Sequence, residues 1–287
     1  MLIAVAPSGA PSVAAVMARA GSENFPVASR ALPRRLRRHL LAIYGFARLV
    51  DELGDSVSGD RFAALDWVEE DLDRAFSGCA QHPLLVELQQ TLRECGLARE
   101  PFARLIEANR MDQRVSRYQT WAQLLGYCSL SADPVGELVL TVLGAATPAR
   151  IALSDSICTA LQLTEHCQDV AEDTARGRIY LPAEDLARFH CTNAELAAAH
   201  AGGPLRSVVA FEVARAHALL DEGAPLIDEL HGRSRVAVAG FLAGGRAALD
   251  AIESAGYDVL AGPPQVPRAR LLLELARTLL GSRRGAS

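Results

Sequence analysis

The chain has 287 residues, half of them hydrophobic and 22% charged, with a formal net charge of -5 at pH 7. All 29 basic residues are arginines, so a lysine Schiff base and a lysine-bearing phosphate loop are excluded, and the mild acidity lacks a nucleic-acid footprint. The six cysteines form no C-x-x-C pair, which points to reduced, cytoplasmic thiols, and no run of apolar residues is long enough to span a membrane.

In chain order, the apolar N-terminus has no charged n-region and is interrupted by Pro7 and Pro11, so it does not read as a signal peptide. Residues 1–20 are expected to be loose, and residues 21–282 to form one domain. Proline is absent from Arg34 to His82, from Ala149 to Leu181 and from Leu226 to Gly262, windows rich in Ala, Leu, Arg and Glu. Phe62, Leu65, Val68, Leu72 and Phe76 recur at helical spacing, with Asp60 placed to cap that helix and Gly78 to stop it. Thr192 and Glu195 match a capping box. Alternating β-branched strands are hard to find. The expected fold is all-α, with roughly eight to ten helices.

Two segments concentrate the polar chemistry. In AIYGFARLVDELGD, Tyr44, Arg48, Asp51 and Asp55 are spaced 4, 3 and 4; in LQLTEHCQDVAED, Gln162, Glu165, Asp169 and Asp173 are spaced 3, 4 and 4. Each set falls on one helical face, with successive Cβ atoms about 5–6 Å apart. The neighbours Ile43, Phe46, Val50, Leu161, Leu163 and Val170 are apolar. Each helix therefore carries a polar stripe between buried faces, the reverse of an ordinary surface helix. Burying like-charged carboxylates this way is unfavourable unless a cation neutralises them. An all-oxygen donor set suits Mg2+, which keeps several waters and also binds substrate phosphates. A di-iron carboxylate bundle is excluded, because no histidine has a glutamate three residues before it.

At these residues the chain resembles the squalene and phytoene synthase family, the head-to-head trans-isoprenyl diphosphate synthases. The resemblance runs from about Ser22 to about Leu280 and is carried by YGFARLVDELGD, GYCSLSADPVGEL and QLTEHCQDVAEDTARGRIYLP. It implies a single isoprenoid synthase domain, with helices around a central apolar cavity and two facing Asp-rich motifs that bind magnesium and diphosphate. Asp51, Asp55, Asp169 and Asp173 would be the metal-binding carboxylates, and Arg48 and Tyr44 would contact the diphosphate. Ser22 and Asn24 match the segment that closes over the phosphates, Arg178 and Tyr180 the supporting stretch after the second motif, and Gln162 a cavity-lining position. Glu52 replaces an aspartate of the first motif, off the stripe and with little effect expected. Glu165 stands where the family often has asparagine; it can still ligate magnesium, but adds negative charge.

Condensing members usually carry a second tyrosine and V-A-G after the Y-C pair; here Tyr127 and Cys128 are followed by SLSADPVG. That variant, with ENFPVAS near the N-terminus, resembles the bacterial hydroxysqualene synthase branch of the hopanoid pathway. The resemblance implies Mg2+-dependent ionisation of presqualene diphosphate, loss of pyrophosphate and capture of the rearranged cation by water. Its pathway partners would be a presqualene diphosphate synthase and a hydroxysqualene-reducing flavoprotein. No G-x-G-x-x-G follows a strand, since Gly240, Gly244 and Gly245 lie in a helical context, so no NADPH is expected. The alternatives are a condensing synthase making presqualene diphosphate, dehydrosqualene or phytoene, and a non-catalytic isoprenoid-binding subunit. His166, about 100° round the helix from Glu165, is expected to pack beside the site. Tyr127 fits either the cavity wall or the core. The run Arg34, Arg35, Arg37, Arg38 and His39 reads as a solvated helix start or as a seat for anionic lipid, giving peripheral contact with the inner face of the membrane.

Overall fold

A computed structural model of the protein describes residues 11–18 and 32–281. Its helices are α1 (Val13–Ala18), α2 (Arg34–Asp55), α3 (Arg61–Ser77), α4 (Pro83–Cys95), α5 (Glu100–Asp112), α6 (Trp121–Ser131), α7 (Asp133–Val142) and α8 (Pro148–Gln168). They continue with α9 (Val170–Ala175), α10 (Ala183–Arg188), α11 (Asn193–Leu196), α12 (Gly203–Gly223), α13 (Leu226–Glu229), α14 (Gly232–Ser254) and α15 (Arg268–Gly281). Among the described residues no strand forms; there is one isolated parallel bridge, between Arg117 and Ile179. Among the described residues five of the helices are six residues or shorter, and the other ten agree with the expected eight to ten. Val13–Ala18, expected to be loose, is helical because Val16 is buried, with α1 packing on α2.

The helices group into two compact units. Among the described residues, one comprises residues 11–18, 32–114 and 134–147, the other residues 115–133 and 148–281. In the first, α2 is held by α3, α4 and α5, with Phe46, Leu49, Leu53, Leu65, Leu72, Leu84 and Phe102 fully buried. Phe46 meets Phe102 edge-on at 5.1 Å between centroids, a favourable aromatic geometry. The Asp60 side chain accepts from Ala63 N at 3.1 Å, and Gly78 closes α3 at a φ of 85°. Buried Asp71 accepts from Arg74 Nε, Gln81 N and His82 N at 2.8, 2.9 and 2.8 Å, fixing the turn into α4.

In the second unit α8 packs chiefly against α12, and also against α14 and α6. A Cβ on Gly245 would stand 2.7 Å from Leu161 Cδ2, so this glycine belongs to a close helix crossing rather than to a nucleotide-binding turn. The segment after α9 is pinned by backbone bonds from Ile179 N to Ser116 O at 2.8 Å and from Ala183 N to Tyr118 O at 2.9 Å. The capping box of Thr192 and Glu195 opens α11.

Arg215 of α12 bridges two buried acids, donating to Asp185 Oδ2 at 2.6 Å and to Glu212 Oε1 at 2.9 Å, with its guanidinium between Trp121 and Phe211. Burial, opposed by Arg215 and reinforced by the Asp185 charge, pushes Glu212 up to about 8 from 4.5. Folded protein thus holds a proton that the unfolded chain releases above about pH 4.5, and the associated stability is lost as pH rises through about 8. The melting temperature of the wild type should fall between pH 5 and pH 9, by a larger margin than that of Glu212→Gln. Equal slopes in the two proteins would show that Glu212 carries no such proton.

Candidate active site

The first acidic stripe lies where the buried faces of α2 leave a gap. Tyr44, Arg48, Asp51, Glu52 and Asp55 are half-buried, whereas Ile43, Phe46, Leu49, Val50 and Leu53 are buried. The hydrophobic residues fix the rotation of α2 and thereby leave the polar residues on its open side. Arg48 Nη2 donates to Glu52 Oε1 at 3.2 Å, while its nearest approach to Asp51 is 4.0 Å. Glu52, expected to stand off the stripe, therefore holds the stripe's arginine. Asn109 of α5, itself buried, donates to Asp51 Oδ1 at 3.1 Å. Arg61 donates to the Asp55 carbonyl at 3.0 Å, and Gln113 to the Gly54 carbonyl at 3.0 Å. A Cβ on Gly54 would meet Asn109 Oδ1 at 2.4 Å, so glycine is required here for Asn109 to reach Asp51.

The second stripe departs from a straight helix. The expectation places Gln162, Glu165, Asp169 and Asp173 on one continuous helix, but α8 ends at Gln168 and α9 starts at Val170. Asp169 sits at the junction with φ -101° and ψ 14°, outside helical geometry. The i to i-4 bonds persist on both sides, from Asp169 N to Glu165 O at 2.9 Å and from Asp173 N to Asp169 O at 2.8 Å. All four side chains remain half-buried, with Leu163, Thr164, His166, Cys167, Gln168 and Val170 buried around them. Asp173 also accepts at its carbonyl from Arg178 N at 2.8 Å.

Beside this motif stand Tyr118, Tyr127, His166 and Tyr180, all buried. His166 stacks on Tyr180 with ring centroids 3.9 Å apart at 11°, and Tyr118 stacks on the same ring at 5.8 Å and 21°. Tyr127 lies 5.4 Å from both Tyr118 and Tyr180. Gln162 Nε2 is 3.3 Å from His166 Nε2, an i to i+4 pair along α8. Burial lowers His166 to about 3, so the imidazole is neutral at physiological pH. A cavity of ≈ 10 Å³, near the space of one water, is lined by His166, Asp173, Arg178 and Tyr180 among others. Tyr118 has no sequence signature, because its place depends on the backbone bonds that lay residues 116–118 against residues 179–183.

The electrostatics fit a cation. Burial, then the charge of Asp169, pushes Asp173 up to about 7, and burial with the Glu172 charge raises Asp169. The donors along both stripes are oxygens alone, the set a hard divalent ion prefers. Among the described residues these carboxylates do not form a compact three-ligand cluster; the one such group is His217, Asp250 and Glu253 on α12 and α14. There Asp250 is engaged by Arg270 Nη2 at 3.0 Å. The aspartate motifs thus supply part of a coordination shell, which is what a metal shared with substrate phosphates requires. Ser22 and Asn24 lie outside the described residues.

Residues 18–270 match the sequence pattern of the squalene/phytoene synthase family. The chain is 35% identical to a hydroxysqualene synthase of Zymomonas mobilis, over 74% of this chain and 72% of that protein. It is 34% identical to a phytoene synthase of Arthrospira platensis, over 91% and 90% of the two chains. Among solved structures, the squalene synthase HpnC of Alicyclobacillus acidocaldarius matches with a TM-score of 0.78 and 48% identity, over 84% of this chain and 92% of that one. The chain belongs to the squalene/phytoene synthase family. It shares that family's all-α isoprenoid synthase fold, and the family uses divalent metal for diphosphate ionisation.

Replacing Asp173 by asparagine removes a carboxylate that burial and Asp169 both disfavour. In metal-free buffer at pH 8, Asp173→Asn should melt at a higher temperature than wild type, and the gap should narrow as pH falls below about 7 and close below about pH 4, where the carboxyl is protonated in the unfolded chain as well. A lower melting temperature for the variant at pH 8 would contradict the strain assigned to this pair.

Proposed function

We propose that the chain is a hydroxysqualene synthase, ionising presqualene diphosphate, releasing pyrophosphate and directing water onto the rearranged cation. The observation that carries this choice within the family is the break between α6 and α7. Ser129 of α6 stands where condensing members carry a second tyrosine, and in the stretch that follows, where they carry V-A-G, α6 ends at Ser131 and α7 begins with Asp133 and Pro134. Asp133 is fastened there by Thr159 Oγ1 at 2.9 Å. The similarity to the Zymomonas hydroxysqualene synthase supports the same reading.

In this reading Asp51, Asp55, Glu165, Asp169 and Asp173 hold Mg2+, and Arg48, Tyr44 and Arg178 bind diphosphate oxygens. Bound Mg2+ supplies positive charge against the charge developing on the departing pyrophosphate. The aromatic faces of Tyr118, Tyr127 and Tyr180 provide negative quadrupoles toward a carbocation. Neutral His166 adds no repelling charge, and it orients Gln162 through their side-chain bond. Tyr180 and Gln162 bound the substrate region. Water capture consumes no reductant, so no NADPH enters the reaction. A presqualene diphosphate synthase would supply the substrate, and a flavoprotein would reduce the alcohol. Among the described residues no helix is long and apolar enough to cross a membrane.

Purified protein with Mg2+ and without NADPH should convert presqualene diphosphate to hydroxysqualene and leave farnesyl diphosphate untouched, as read by mass spectrometry of the lipid extract. Asp55→Asn and Asp169→Asn should each lower kcat/KM on the order of 100-fold or more. Condensation of farnesyl or geranylgeranyl diphosphate would instead place the chain with the phytoene synthases, to which it is comparably similar over a greater length. Tight isoprenoid binding without turnover, independent of Mg2+, would identify a non-catalytic subunit.

A further inference from the structure

Helix α15 is turned inside out. An ordinary surface helix buries its apolar stripe and exposes its polar one. Here Glu274 and Thr278 are the buried residues, while Leu272, Leu273 and Leu280 are 66%, 50% and 65% exposed. These are the three most exposed of the five large apolar side chains exposed among the described residues. At 3.6 residues per turn, Ala269, Leu272, Leu273, Ala276 and Leu280 fall within an arc of about 100°. All five are exposed, so the arc forms one continuous stripe.

Polar contacts fix the inversion. Arg270 Nε donates to Asp250 Oδ2 at 3.1 Å, and its Nη1 donates to Ser254 Oγ at 3.0 Å, tying the start of α15 to α14. Arg235 of α14 donates to the Leu279 carbonyl at 3.1 Å, tying the end. The leucines therefore cannot roll inward without breaking these bonds.

The charge around the stripe selects what covers it. Arg268 borders one side of the arc and Arg277 the other, and both are exposed. Residues 268–281 carry three arginines and one glutamate, net +2, within a chain whose total is -5. Two copies of α15 meeting on this stripe would bring like charges together. An anionic lipid surface meets leucines with acyl chains and arginines with headgroups. At about 21 Å, α15 has the length and character of a helix lying in the interface plane rather than one crossing it. Arg277 also donates to Glu274 Oε1 at 2.6 Å, as Arg35 and Arg38 do to Glu94 at 3.3 and 3.0 Å, but the arginine run at the start of α2 has no exposed leucine stripe beside it.

We propose that α15 is a membrane-surface docking helix, which seats the protein on anionic phospholipid through Leu272, Leu273 and Leu280 with Arg268 and Arg277 at the rim. An enzyme on this surface can exchange an isoprenoid with the bilayer without passing it through water. That benefit rests on the isoprenoid reading above; the stripe and its charge do not.

The test is flotation of the full chain, without substrate, on phosphatidylcholine vesicles containing phosphatidylglycerol and on phosphatidylcholine alone. Wild type should float with the anionic vesicles and be released by salt. Leu272→Ser with Leu273→Ser, and separately Arg268→Gln with Arg277→Gln, should each weaken binding roughly tenfold or more at unchanged melting temperature. Leu280→Trp should shift its emission to the blue on anionic vesicles. The proposal is overturned if wild type stays in solution, if the leucine variant floats like wild type, or if wild type is a dimer that the leucine variant splits. Because binding is read without turnover, loss of the proposed enzymatic activity would leave this result standing, and the reverse also holds.

Discussion

Carboxylates set four residues apart on helices whose other faces are buried, with Asp169 and Asp173 repelling one another, are the constraint on which the site depends. On α2 the hydrophobic residues Phe46, Leu49 and Leu53 are fully buried and set the rotation that leaves Asp51 and Asp55 on the open side. On α8 and α9 the same division leaves Glu165, Asp169 and Asp173 half-buried, and Asp173 responds by holding its proton to about pH 7. Packing thus imposes an electrostatic cost on the Asp169 and Asp173 pair that a proton relieves below about pH 7 and a bound cation relieves above it. The incomplete donor sets then make a bound diphosphate the natural source of the remaining oxygens.

Much of this arrangement was legible in the sequence because it is local. The Asp60 cap, the Gly78 stop and the box of Thr192 and Glu195 each depend on residues within a turn of one another. Both polar stripes were visible for the same reason, since 3.6-residue periodicity sorts their residues from the buried ones. The pair of Gln162 and His166 was also within reach, being an i to i+4 contact.

What escaped the sequence depends on distant partners. Asn109 reaches Asp51 across 58 residues, through the space that Gly54 leaves. Tyr118 joins Tyr127 and Tyr180 only because backbone bonds bring residues 116–118 to residues 179–183. Two further features ran against the pattern-based expectation. The helix breaks at Asp169, where uniform periodicity implies continuity, and α15 exposes leucines that periodicity alone would bury. In the second case polar anchors to Asp250 and Ser254 overrule the hydrophobic pattern.

The most direct test of the central claim is calorimetric titration of Mg2+ into the protein with and without inorganic pyrophosphate, for wild type and for a variant carrying Asp55→Asn and Asp169→Asn together. Partial carboxylate shells completed by phosphate oxygens predict Mg2+ binding that is much tighter with pyrophosphate, accompanied by proton release near pH 7 and abolished in the variant. Binding of equal strength without pyrophosphate, or surviving in the variant, would show that the acidic stripes are solvated helix faces and not a metal–diphosphate site.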